Sequence, residues 1–304
     1  VLRGKVGDSG QTMRTRSHFV GLVLRNTAER LPFPGHGHVI LAHPSPILAY
    51  PISDTGDVRV LVDVAGPLPA VRTGAMRTHL LSHVLPQLPQ EIREPFVEAV
   101  EAGQVRSMPN REMPGLPPRK DGVLLLGDAF NCRHPLTGGG MTVALSDCVI
   151  IRDILCRELP DLHDPAALDR ALASFYERRK PMAATINILA AALYSVFAAR
   201  GHVEEMRRAC FEYFKLGGPA VSGPIGLLSG TAPRPYELLA HFFAVAVFGA
   251  LRMLLTNPFQ VPKAISMIKA AAMIVRPLMY QEKVLCWLPE FGLETIQQTT
   301  TPQQ

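Results

Sequence analysis

The amino-acid sequence predicts a mixed α/β (α+β) fold, with an antiparallel sheet early in the chain and apolar helices late in it. Short runs of β-branched and aliphatic residues alternate with turn residues over residues 18–63, as in consecutive strands. Beyond Pro181, residues 186–199 and 241–255 are apolar on nearly every helical face. Helices of that composition are buried in a core or contact lipid.

Composition argues for a folded protein and against a nucleic-acid groove. The chain has 304 residues, 47% of them hydrophobic, and a formal net charge of +5. Its basic residues are scattered, and its tight basic runs, 119–120 and 178–180, have no aromatic residues between them, so we expect no nucleic-acid partner. The odd number of cysteines and the absence of a CxxC pair predict reduced thiols facing a cytosolic compartment. These cysteines are Cys132, Cys148, Cys156, Cys210 and Cys286.

The early strands follow one another through short turns. Segments 18–24, 38–42, 47–50 and 58–63 have strand composition. The turn at residues 54–57 has the chemistry of a tight hairpin, and consecutive strands joined in this way pair antiparallel.

Short amphipathic helices and a central strand follow the predicted sheet. Residues 75–84 and 92–101 have helical patterns bounded by prolines, and the proline-rich stretch 110–118 predicts a loop. The apolar run 122–128 predicts a buried strand. A helix over residues 141–158 is expected next, with its apolar stripe at Ala144, Cys148, Ile151 and Leu155.

The next helix is predicted to begin at Pro165, with Asp164 as its cap, and to run to about Lys180 before Pro181. Beyond it, the uncharged run 242–251 is only 10 residues long, which is short for a membrane span. A helix pair that dips into one leaflet is therefore predicted, with core helices of a soluble domain as the alternative.

The segment with the most chemical information runs from Gly127 to Met141 and joins the predicted strand to a helix. Consecutive glycines let a backbone approach a flat ligand, and the following helix N-terminus favours negative charge. Asp128 is an acceptor placed for the hydroxyls of a sugar or ribitol chain. Each feature alone also has an ordinary explanation: a tight turn, a turn aspartate, a rigid His134-Pro135 bend.

Taken together, these residues resemble a known family. Gly127-Asp128 with His134-Pro135 resembles the second flavin-binding motif of the aromatic-hydroxylase superfamily of flavoprotein monooxygenases. The whole run 127–142 resembles squalene epoxidases in particular. Further resemblance extends from about residue 17 to about residue 280, and the departures from the family pattern, such as His43, lie outside the flavin motif. Segments that carry it are 17–21, 44–48, 59–63, 211–218, 223–228 and 241–246.

The resemblance implies a flavoprotein monooxygenase fold and a set of binding residues. Asp128 would bind FAD and Met141 would contact it through the backbone. The other cofactor-binding residues implied are Pro135, Gly138, Gly139 and Gly140. The residues implied for an apolar substrate tunnel are Phe211, Phe214, Pro224, Leu227 and His241. From the residues alone, simple core packing of Phe211 and Phe214 and a structural role for His241 stay open.

The resemblance also implies an activity: oxidation of squalene by molecular oxygen to (S)-2,3-oxidosqualene in sterol biosynthesis. Electrons would come from NADPH through a partner microsomal flavoprotein reductase, at the cytosolic face of the endoplasmic reticulum or microsomal membrane. A flavin hydroperoxide would carry the oxygen chemistry, so no side chain is assigned as catalytic. The sequence shows no metal-ligand cluster and no evident catalytic triad.

The resemblance divides the chain into regions. Residues 1–103 would belong to a substrate-binding domain and 104–180 to an incomplete FAD-binding domain. Residues 181–290 would form the helical tunnel and membrane region, and 291–304 a disordered tail. The family's GxGxxG segment, ribose-binding acidic residue and Asp-Gly motif are not found here. We therefore expect an N-terminally truncated chain that does not hold FAD stably or act alone.

Other functions remain open from the sequence. Another FAD-dependent hydroxylase or a reductase of the superfamily would share Gly127-Asp128 and the glycine-rich helix start, but would lack the apolar C-terminal helices. A truncated, non-catalytic, membrane-associated protein that binds squalene or sterol is an alternative of a different class.

Overall fold

A five-stranded sheet forms the first layer of the protein. The computed structural model describes residues 13–117, 123–159, 161–197 and 203–284, so the predicted tail at 291–304 lies outside the described residues. The strand order is β2-β3-β4-β1-β5, and every neighbouring pair is antiparallel, which confirms the predicted sheet. The strands are β1 (Arg14–Leu24), β2 (His38–Ile40), β3 (Ile47–Pro51), β4 (Val58–Val64) and β5 (Arg106–Glu112).

The two faces of the sheet pack against different layers, because successive side chains of a strand point to opposite sides. Val20 and Leu22 lie in a core that also contains Phe96 from the helical layer on one face. Phe19 points to the other face, where it packs with Leu136. The helices of the first layer are α1 (Ala75–His79), which continues as one wide turn (Leu80–Val84), and α2 (Arg93–Glu101).

The loop predicted over residues 110–118 is wrong at its start, because β5 extends to Glu112. Pro109 lacks a backbone N–H, but β5 is the edge of the sheet, where a missing donor is tolerated. The register between β1 and β5 shifts at a bulge between Thr15 and Ser17. The sheet thus continues beyond residue 103, the predicted domain boundary, and the division into domains stays a prediction.

The buried strand predicted over residues 122–128 is also wrong. Residues 123–126 pair with no strand of the described chain, and Gly127–Ala129 forms a single 3₁₀ turn. Leu126 has extended dihedrals, φ −126° and ψ 166°, so the segment keeps a strand-like backbone without a ladder partner. Leu124 and Leu126 pack instead against the cluster around Phe175.

Helix α3 (Gly140–Asp153), extended by a wide turn (Ile154–Glu158), occupies the predicted position but buries a different face. Cys148 and Leu155 of the predicted stripe are exposed, whereas Val143 and Asp147 are buried. The prediction failed because a charged residue lies at the centre of the buried face, and a search for apolar periodicity passes over it. Helix α4 (Pro165–Arg178) begins as predicted, with Asp164 accepting two backbone N–H bonds.

The C-terminal half of the described chain is a helical bundle. Its helices are α5 (Lys180–Phe197), α6 (Val203–Phe214), α7 (Pro219–Ser229), α8 (Pro235–Thr256) and α9 (Val261–Gln281). Two of them, α5 and α8, are long and apolar enough to cross a membrane by length and composition. Since α8 begins at Pro235 and has 22 residues, the uncharged run 242–251 understates its apolar length.

Candidate functional site

The glycine-rich loop turns sharply between the end of the 3₁₀ turn Pro135–Thr137 and the start of α3. Gly138 has φ +66°, a left-handed conformation that favours glycine, and a Cβ there would meet nothing within 4 Å. Gly139 is constrained differently, because a Cβ at that position would lie 2.5 Å from Cγ2 of Ile186 on α5. One glycine therefore leaves open space beside the loop, and the next allows α5 to pack behind it.

Asp128 and the start of α3 lie together. The Asp128 side chain is exposed, and its Oδ1 lies 4.0 Å from the Cβ position of Gly140, the first residue of α3. The N-cap of this helix is Gly139, which has no side chain to cap the first turn. Met141 is 73% exposed. A carboxylate acceptor and the N–H donors of a helix N-terminus thus occupy one corner of the molecule.

A large apolar cavity adjoins this loop. The cavity has a volume of about 640 Å³ and lies between the sheet, α5 and helices α6 to α8. Pro135 and Gly138 form part of its wall. The sequence-predicted substrate residues all line it, namely Phe211, Phe214, Pro224, Leu227 and His241. Residues that sequence reasoning missed include Leu61 from the sheet and Leu193 from α5.

His241 is held in the cavity wall by specific contacts. Its Nδ1 lies 3.0 Å from the hydroxyl of Tyr213, and its ring packs on Gly223, where a Cβ would lie 2.1 Å from Nε2. His241 therefore has both a polar partner and a surface toward the cavity. Burial raises the pKa of the neighbouring Cys210 to about 11, which keeps this thiol neutral at physiological pH.

A buried polar cluster lies under the loop, and sequence reasoning missed it. Ser17, Asp63, Asn110 and His134 are each at most 4% exposed and are joined by hydrogen bonds. Ser17 and His134 are 117 positions apart in the chain, so no local pattern could connect them. The His134-Pro135 motif was the available signal, because it placed His134 next to the glycine-rich loop.

Comparison with known proteins places the chain in a family. Residues 2–266 match the family model described as squalene epoxidase. The chain belongs to the squalene epoxidase family. The resemblance inferred from the loop is thereby confirmed, and other hydroxylases or reductases of the superfamily are not favoured.

Squalene epoxidases of a plant and of a mammal are similar to this chain in sequence. The chain is 58% identical to squalene epoxidase 3 of Arabidopsis thaliana over 245 residues, which are 80% of this chain and 46% of that protein. It is 41% identical to the squalene monooxygenase of Mus musculus over 273 residues, 88% of this chain and 46% of the relative. The chain thus spans about half the length of the curated relatives it matches.

Two solved structures share the fold of this chain, one of a protein complexed with FAD and one of a monooxygenase. HpxO of Klebsiella pneumoniae, complexed with FAD and uric acid, aligns with a TM-score of 0.59 and 16% identity. The alignment covers 77% of this chain and 58% of HpxO. The p-nitrophenol 4-monooxygenase PnpA of Pseudomonas putida aligns with a TM-score of 0.53 and 16% identity, over 76% of this chain and 57% of PnpA. These similarities confirm the predicted flavoprotein monooxygenase fold.

Proposed function

We propose that this chain forms the substrate cavity and part of the FAD site of a squalene epoxidase, which oxidises squalene to (S)-2,3-oxidosqualene in sterol biosynthesis. The observation that carries the proposal is the cavity of about 640 Å³. It brings together the five residues assigned to the substrate and four residues of the flavin loop, 135–138. Family membership supplies the substrate class.

The loop residues fit FAD. Gly138 borders open space, and Asp128 places an exposed carboxylate beside the uncapped N-terminus of α3. Asp128 would accept hydrogen bonds from ribityl hydroxyls, and the first N–H groups of α3, including that of Met141, would face the electron-rich side of the flavin. When bound, FAD supplies the activation of molecular oxygen.

The cavity suits a hydrocarbon without polar groups. Affinity for such a substrate comes from burying apolar surface, at about 25 cal/mol per Å². Phe214 and Leu227 supply that surface, while Pro135 and Gly138 place one end of the cavity at the flavin loop. This chain's contribution to the reaction is thus to orient the alkene and to exclude water. NADPH, through a partner reductase, is the proposed electron source.

Membrane association is part of the proposal. The corner between α8 and α9 carries exposed apolar side chains, with Leu255 87% exposed and Phe259 93% exposed. Lys263 and Arg252 lie beside this corner and are also exposed. Apolar side chains flanked by basic ones suit insertion into one leaflet with the cations at the headgroups. The proposed location is the cytosolic face of the endoplasmic reticulum or microsomal membrane.

We expect Leu255→Asp with Phe259→Asp to reduce binding to vesicles of mixed neutral and anionic lipid by at least tenfold. A charged side chain costs about 2.5–3.5 kcal/mol at the bilayer centre, and even a smaller cost at each of two shallower positions suffices for this effect. Co-sedimentation measures the binding. The matched control is Leu162→Asp with Phe33→Asp, which changes two side chains that are also exposed, at 60% and 69%. Equal binding by both double variants would remove the α8–α9 corner from the proposal.

The proposed activity is tested in a chimera. The matching segment of squalene epoxidase 3 of Arabidopsis thaliana is replaced by this chain's residues, and the purified protein is assayed for flavin absorbance and for oxidosqualene formation. We expect both to be retained. In the chimera, Asp128→Ala is expected to weaken FAD binding by on the order of 10- to 100-fold, because hydrogen bonds to a charged group contribute about 1.5–3 kcal/mol.

The matched control is Asp153→Ala, which removes an aspartate at the other end of α3 and is expected to leave FAD affinity unchanged. A chimera with native circular dichroism that holds FAD but converts no squalene would contradict the proposed substrate. A folded chimera without flavin would contradict the proposed cofactor site.

A further inference from the structure

The buried polar cluster has defined hydrogen-bond directions. Nδ1 of His134 accepts the backbone N–H of Leu136 at 3.2 Å, so this nitrogen carries no proton. The neutral ring therefore carries its proton on Nε2, which lies 3.0 Å from Oγ of Ser17 and donates to it. Ser17 in turn donates its hydroxyl proton to Oδ1 of Asp63. A chain of hydrogen bonds thus runs from the loop, through His134 and Ser17, to the carboxylate of Asp63 on the sheet.

Every hydrogen-bonding position of the Ser17 hydroxyl is used. It accepts from His134 and from Nδ2 of Asn110 at 2.9 Å, and it donates to Asp63. Asp63 also accepts from Asn110 at 3.1 Å and, through Oδ2, from the hydroxyl of Tyr194 at 3.2 Å. Burial, and then the nearby charge of Asp63, raise the pKa of Tyr194 to about 12, so Tyr194 remains a donor. Apart from Oδ1 of Asn110, which has no partner among the described residues, the polar side-chain atoms of this buried network are hydrogen-bonded, and such bonding holds its members in one arrangement.

Serine, histidine and aspartate together also resemble a hydrolytic triad, but the directions exclude that role. A nucleophilic serine must give its proton to the histidine, whereas here Nε2 already carries a proton and Ser17 donates to Asp63. In a triad the aspartate accepts a hydrogen bond from Nδ1 of the histidine. Here Nδ1 of His134 accepts from the backbone N–H of Leu136 instead, so Asp63 does not have that role. Ser17 and His134 are each 1% exposed, so a substrate does not reach them.

The cluster instead connects three parts of the fold. Ser17 and Asp63 lie on β1 and β4, and Tyr194 lies on α5, where its ring stacks on His134 with centroids 4.1 Å apart. His134 precedes the 3₁₀ turn Pro135–Thr137 and accepts a bond from within it. That turn leads directly to Gly138 and to α3, and its residues line the apolar cavity.

We propose that Asp63, Ser17 and His134 form a positioning relay that fixes the loop from Pro135 to Gly140 on the sheet. The role of this loop as the flavin-facing edge of the cavity rests on the proposed function. The relay sets the position of the α3 N-terminus relative to the cavity through two hydrogen bonds of His134. Its Nε2 donates to Ser17, and its Nδ1 accepts from the Leu136 N–H. Asn110 and Tyr194 hold the Asp63 carboxylate in place.

Hydrogen exchange of this chain tests the relay without flavin. In Ser17→Ala we expect the amides of Leu136, Gly138 and Val143 to exchange about tenfold faster, which corresponds to about 1.4 kcal/mol. Amides of the β3–β4 ladder are expected to be unchanged. The matched control is Ser45→Ala, because Ser45 is 3% exposed and its hydroxyl has no partner among the described residues.

Two hydrogen-exchange results would overturn the relay: uniform acceleration of all amides in Ser17→Ala, or equal acceleration of the loop amides in Ser45→Ala. The nitrogen chemical shifts of His134 give a second readout that a general loss of stability does not move. We expect an unprotonated Nδ1 and a protonated Nε2, and the opposite tautomer would contradict the proposal. In the chimera, Ser17→Ala is expected to lower FAD affinity several-fold. If the loop amides exchange faster but FAD affinity is unchanged, the relay positions the loop without contributing to the flavin site.

Discussion

Replacement of Asp147 by alanine is expected to lower the free energy of unfolding by about 3–5 kcal/mol. Asp147 on α3 accepts two bonds of 3.0 Å from Arg179, and the two side chains are only 2% and 5% exposed. Without the carboxylate, the guanidinium stays buried and loses its ion-pair partner. The Phe130 ring, whose centroid lies 4.6 Å from Cζ of Arg179, offers a much weaker interaction with the cation.

Urea unfolding followed by circular dichroism measures this effect. The matched control is Asp153→Ala on the same helix, because Asp153 pairs with Arg152, whose side chain is 58% exposed. An exposed pair contributes less than about 1 kcal/mol. Both substitutions gain the same helix propensity on going from aspartate to alanine, so that contribution cancels in the comparison. Similar midpoints for the two variants would show that the Asp147–Arg179 pair does not stabilise the fold.

The sheet could be predicted from the sequence because its strands are specified locally. Residues 18–24 and 58–63 have β-branched residues and adjacent turn signals, and the structure pairs them as β1 and β4. The order of apolar and glycine residues in the sequence also predicted that the glycine-rich loop lies between an extended segment and a helix, as the structure has it. The predicted substrate residues line one cavity, and this grouping came from the family resemblance rather than from periodicity.

The wrong predictions depended on partners distant in the chain. Residues 123–126 have strand composition, but a strand also needs a neighbour, and composition does not show whether one is present. The buried face of α3 was misplaced because Asp147 is charged, and only the position of Arg179 makes its burial favourable. The loop predicted at residue 110 failed because β1 is long enough to pair with a proline-containing edge strand.

Gly139→Ala is expected to lower the free energy of unfolding by about 1–3 kcal/mol, because the added methyl group overlaps a packed side chain. The Cβ would lie 2.5 Å from Cγ2 of Ile186, which is fully buried on α5. Gly139 has φ −74° and ψ 1°, a conformation that alanine adopts without strain. The cost is therefore steric, and thermal or urea unfolding measures it.

Two further variants identify the overlap as the cause. Gly140→Ala is the matched control, since its Cβ would approach Asp128 Oδ1 no closer than 4.0 Å, and we expect stability to stay the same or to rise by up to about 1 kcal/mol. Ile186→Leu removes the methyl branch that Gly139→Ala meets. In the double variant we expect about 1 kcal/mol of the loss to be recovered relative to the sum of the single variants. Strict additivity would mean that Gly139 is required for another reason than the close approach of α5 to the flavin loop.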